Sequence, residues 1–72
     1  MEASEIFDLI VKADERLKYA TQDRAGRRAA QARELLLRAR DEATAIGSQA
    51  LVEQAEQRLA DLARIAGDEL DA

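Results

Sequence analysis

Apolar positions recur along the chain in steps of three and four, the period of one face of an α-helix, and they fall into three runs. The first run holds Ile6, Leu9, Ile10, Ala13, Leu17 and Ala20. The second holds Ala25, Ala29, Ala32, Leu36, Ala39, Ala43 and Ile46, with steps of four and three alternating as in a heptad seam. The third holds Val52, Ala55, Leu59, then Leu62 or Ala63, then Ala66 and Leu70. Between the first two runs the step from Ala20 to Ala25 is five residues, which rotates the stripe by about 140° on a continuous helix. One stripe would then face water, so the chain is expected to turn near 21–24, with Thr21 and Asp23 as candidate N-caps. The second reset follows Ile46, where Gly47 can take the left-handed conformation that ends a helix and Ser48 can cap the next one. The pattern predicts helices over 4–20, 22–46 and 48–67, with Gly26 weakening the first turn of the second. Three of the last five residues are acidic, so the tail 68–72 is expected to fray.

Short connections make sequential helices antiparallel. The fold class that results is all-α: a three-helix antiparallel bundle forming a single domain over residues 1–72. The seam of the middle helix is mostly alanine, which lets its backbone approach both neighbours, and the Ile and Leu side chains of the outer helices fill the space above it. Apolar residues off the seams divide in two. Leu35, Leu37, Leu51 and Phe7 lie on flanks that face a second neighbour and are assigned to the core. Val11, Tyr19 and Ile65 are harder to bury and are left as candidate surface.

Composition narrows the classes. With no cysteine and no histidine, disulfide staples and the commonest zinc sites are excluded. Proline is absent and hydrophobic residues make up 47% of the chain, too many for a disordered segment and well suited to helices. The net charge of −4 argues against nucleic acid or an anionic membrane as partner. No apolar run approaches the roughly 20 residues that span a bilayer. The N-terminal residues Met1, Glu2, Ala3 and Ser4 do not read as a basic signal-peptide start. A cytoplasmic protein is the expectation.

The spacing of Ala32, Leu36 and Ala39, small then large then small, together with the run ARDEATAIGSQALVEQAEQRLADLA over 39–63, resembles a tetratricopeptide repeat at the junction between two of its helices. In that comparison Ile46 and Gly47 close one helix, and Ala55, Leu59 and Ala60 pack the next. Positions that are aromatic in the repeat hold Leu36 and Ala63, and the usual proline is missing. The resemblance implies a repeat-like helical hairpin plus one further helix, similar in shape to microtubule-interacting-and-transport domains, and a role in binding proteins. It carries no ligand residues over to this chain.

The side chains offer little for catalysis. There is no Cys or His to make a nucleophile–base pair. Ser4 and Ser48 sit at predicted helix starts, where capping explains them. Glu53 and Glu56 are three apart but have no histidine to complete a dimetal site, and Gly26, Arg27 and Arg28 do not form a phosphate loop. No enzyme activity, cofactor, metal or small-molecule substrate is expected. The middle helix is rich in arginine. Arg24, Arg27 and Arg28 form a local cluster, whereas Arg38 is an i,i+4 neighbour of both Glu34 and Glu42. A solvated, partly paired face ranks first for these arginines, an acidic protein partner second and nucleic acid third, since no aromatic platform accompanies them. The leading functional expectation is a protein–protein interaction module using Phe7, Val11, Tyr19, Arg24, Arg27, Arg28 and Ile65. A structural homodimer is the alternative, and weak nucleic-acid binding through the arginine cluster is a remote one.

Overall fold

The computed structural model describes residues 1–18 and 25–70, with side chains described for 1–18 and 27–64. The described residues form three helices: α1 (Ala3–Lys18), α2 (Ala25–Ala45) and α3 (Gln49–Leu70). They pack as an all-α three-helix bundle. The molecule is elongated, with principal extents of 39 × 18 × 13 Å, and the long axis follows the helices. No helix among the described residues is long and apolar enough to cross a membrane.

α1 starts earlier than its first serine suggests. The carbonyl of Glu2 accepts the first helical bond from the Ile6 amide at 3.0 Å, and the Glu2 amide donates to Glu5 Oε1 at 3.1 Å. Glu2 is therefore the N-cap, and Glu5, three residues on, reaches back in the manner of a capping box. Ser4 lies inside the first turn instead of capping it. The expected turn near 21–24 lies outside the described residues, as do 19–20 of the predicted first helix and 22–24 of the second. Its outcome is nevertheless visible, because Arg16 Nη1 near the end of α1 donates to Gln31 Oε1 in the second turn of α2 at 2.8 Å. At the other end of the same pair the Met1 amino group lies 3.7 Å from Glu42 Oε2. The two helices run antiparallel.

α2 ends as its glycine requires. Gly47 has φ 72°, its amide donates to the Thr44 carbonyl at 3.1 Å, and the Ser48 amide donates to the Ala43 carbonyl at 2.9 Å. This pair of bonds is the Schellman arrangement, which satisfies carbonyls that the helix end would otherwise leave open. Ser48 then starts α3, its carbonyl accepting from the Val52 amide at 3.0 Å. Ile46 falls in the turn itself and is 43% exposed, so the second stripe stops at Ala43 and not at Ile46. α3 continues to Leu70, beyond the predicted end at 67, so the helix takes in residues 68–70. Gly67 is accommodated within it; a helical glycine costs only about 1 kcal/mol against alanine, less than is needed to stop a helix unaided.

The core joins all three helices. Ile6, Leu9, Ile10 and Ala13 meet Ala32, Leu36, Ala39 and Ala43, and Leu51, Ala55 and Leu62 close the third side. Leu62, not Ala63, takes the core position on α3. Leu17, Ala29, Leu35, Val52 and Leu59 pack around the margin. Among the described residues every buried side chain is apolar, so no charge or hydroxyl has to be satisfied inside. α2 lies along both neighbours for much of its length, whereas α1 and α3 touch over a far smaller area. The alanine seam explains the difference: small residues at 32, 39 and 43 draw both outer helices close to α2, leaving them parallel to each other across a shallow junction.

Candidate functional site

A charged contact bridges the α1/α3 junction. Arg58 Nε donates to both carboxylate oxygens of Asp14, at 2.9 and 3.0 Å, and Arg58 Nη1 donates to the Gln54 carbonyl one turn earlier at 3.1 Å. The guanidinium is thus held against its own helix while it reaches across to α1. On α1, Phe7 precedes Asp14 by seven residues and Val11 precedes it by three, spacings that place all three on one side of the helix. Phe7 is 46% exposed and Val11 37% exposed. The apolar pair therefore lies on the flank of α1 that turns toward α3, beside the junction and unburied by it.

This placement corrects one expectation and sharpens another. Phe7, assigned from its flank position to the core, is on the surface, because the neighbour that should have covered it stays at a distance. Val11 stays exposed next to it, as the sequence suggests. Leu51 is buried, while Leu35 and Leu37 are half-buried. Tyr19, Arg24 and the side chain of Ile65 lie outside the described residues. Arg27 is exposed and Arg28 half-buried with an interaction of its own. Both sit at the end of α2 that meets the end of α1, whereas Phe7 is near the start of α1. Along the helix axes that is a separation of about 20 Å. The fold does not gather Arg27 and Arg28 with the apolar pair into one site.

The charged pairs read from helical spacing are also rearranged. Glu34 and Arg38 are not joined by an ion pair, and Glu42 faces the Met1 amino group instead of Arg38. The contacts that form among the described residues include Arg58 with Asp14, Arg64 with Asp61 at 3.1 Å, and Arg40 with Asp41 at 3.8 Å. Between α1 and α2, on the side away from α3, an open groove of about 320 Å³ is lined by Arg16, Gln31, Glu34, Leu35 and Arg38. Sequence reasoning misses it, because the arginines draw the eye to the middle helix and Arg16 belongs to the first. Its signal is there in the spacing: Arg16 follows Leu9 by seven residues on the same flank. Among the described residues no group of three or more metal-ligating side chains comes together, and Glu53 and Glu56 are both exposed at the surface of α3.

Fold and surface together define a small all-α three-helix bundle with an apolar flank and a polar groove. Compared with protein-family models, with characterised proteins and with solved structures, the chain has no significant match.

Proposed function

We propose that this chain is a non-enzymatic protein–protein interaction module that engages its partner through the α1 flank carrying Phe7 and Val11. The observation that supports this reading is the pairing of two exposed apolar side chains one turn apart beside a thin helix–helix junction. One exposed apolar residue is ordinary on any protein. A phenylalanine and a valine set together beside the α1/α3 junction give the apolar face of a partner helix two adjacent side chains to pack on. Burying apolar area contributes about 25 cal/mol per Å², and an aromatic ring carries the larger share of it. The spacing that resembles a tetratricopeptide repeat supports the same class of role. A cytoplasmic setting goes with the proposal, since small secreted domains of this size lean on disulfides and the chain has no cysteine.

The test is a comparison of wild type with a Phe7→Ser, Val11→Ser double variant. Both positions are exposed, so the variant should melt within a few degrees of wild type. Quantitative affinity capture from the native host should lose its specific partner in the variant and keep it in an Arg27→Ala control. Light scattering run in parallel identifies a second copy of the chain as the partner if a dimer forms in wild type and disappears in the variant. Equal capture by wild type and variant, with both monomeric, would overturn the proposal.

A further inference from the structure

The groove between α1 and α2 has a different chemistry from the apolar flank and a different position. Arg16 is nine residues from Phe7, which at about 100° per residue places it on the opposite side of α1. The two surfaces are independent, and a ligand in the groove touches neither Phe7 nor Val11.

Two guanidinium groups line this groove from different helices. Arg16 is oriented by its 2.8 Å bond to Gln31, which occupies one nitrogen and leaves the rest of its donors available. Arg38 is exposed and forms no ion pair among the described residues. Lys12, exposed and one turn before Arg16 on α1, adds positive potential on the same flank. Between the arginines, half-buried Leu35 supplies an apolar patch at the groove wall. One carboxylate, Glu34, also lines the groove. It stands one turn before Arg38 and lowers the local positive charge without forming a bond to it.

We propose that this groove binds an acidic peptide segment, with a carboxylate of the peptide seated between Arg16 and Arg38 and a neighbouring apolar side chain resting on Leu35. Planar guanidinium groups match carboxylates in paired hydrogen bonds. The orientation of Arg16 by Gln31 reduces the side-chain entropy lost on binding. A volume of about 320 Å³ is enough for one or two side chains, not for a folded domain. The apolar wall favours a peptide over a nucleic acid, which would need stacking surfaces or a longer basic track. Glu34 opposes the incoming carboxylate and keeps the site weak and salt-sensitive.

The experiment is a chemical-shift titration of the isotope-labelled full chain at low ionic strength. The probes are a capped Glu-Leu-Glu-Leu-Glu peptide, its Lys-Leu-Lys-Leu-Lys counterpart and a ten-residue oligothymidylate. The acidic peptide should shift resonances of Arg16, Gln31, Glu34, Leu35 and Arg38 along a saturable curve. Arg16→Gln and Arg38→Gln should each weaken it about three- to ten-fold, and Glu34→Gln should tighten it. Arg33→Gln, about 140° around α2 from Arg38, should leave it unchanged, and thermal melts establish that all four variants are folded. The inference is overturned by shifts spread equally over Arg27 and Arg33, by an Arg33→Gln effect as large as that of Arg38→Gln, by equal or tighter binding of the basic peptide or the oligonucleotide in this groove, or by no response at millimolar peptide.

Discussion

Leu36 projects the one large, fully buried side chain described on α2 into a face otherwise made of alanine, and Ile6 and Ile10 from α1 are the other large side chains with 0% exposure. Removing it leaves a hole that neighbouring alanines cannot fill by changing rotamer. Leu36→Ala should therefore cost about 2–5 kcal/mol, a large part of the stability of a domain this small. The converse change fails for the converse reason. Ala39→Leu pushes a side chain into the space that brings the helices close, and should destabilise by about 1–3 kcal/mol. Urea melts of both variants measure these losses, and an unaltered midpoint for Leu36→Ala would contradict the core as described. Gly47 works through its backbone alone. Its φ is 72° and a Cβ there would meet nothing within 4 Å, so Gly47→Ala should cost about 1–2 kcal/mol from the left-handed conformation. Gly47→Asn should cost less, because Asn tolerates that region better. Two urea curves separate the cases.

The helices are where sequence and structure agree best. The phase of each stripe is set by the need to bury one face, so the three elements and nearly all of their buried positions can be read from spacing alone, from Ile6 to Leu62. Their ends follow different rules. The Gly47 turn is legible because left-handed backbone has a residue signature. The start of α1 is not: Glu2 with Glu5 satisfies the first amides as well as Ser4 would, and spacing does not choose between caps. Ile46 keeps the heptad rhythm yet lies just past the last residue of α2 and is 43% exposed. Polar contacts between distant helices are not legible at all, and the Asp14–Arg58 bridge spans 44 residues of sequence. That bridge is measurable at its own scale. With Arg58 29% and Asp14 46% exposed, a double-mutant cycle of Asp14→Asn and Arg58→Gln should give a coupling of about 0.2–1 kcal/mol that shrinks as salt is added. A coupling that is zero at low salt would mean the α1/α3 junction is not bridged in solution.

At the level of the whole molecule, α2 is covered from two sides and the outer helices chiefly from one. Local opening should follow that order. Hydrogen exchange is expected to be slowest at the amides around Leu36 and Ala39 and faster along α1, where Phe7 and Val11 are open to solvent; the reverse order would show that α2 is not the centre of the fold. The same asymmetry accounts for the apolar flank. Spacing alone treats a three-helix bundle as closed, with every flank facing a neighbour, and on that basis Phe7 belongs inside. The alanine seam draws α1 and α3 toward α2 more than toward each other, and this uneven closure leaves Phe7 uncovered. The most direct test of the α1 flank as a partner surface places a photoreactive benzoylphenylalanine at position 7 of the chain in its native host, with the same group at Glu53 as a control. A discrete crosslinked product from position 7, absent from position 53 and lost when Val11 is also changed to Ser, is the predicted result. No product from position 7, or the same products from both positions, would contradict it.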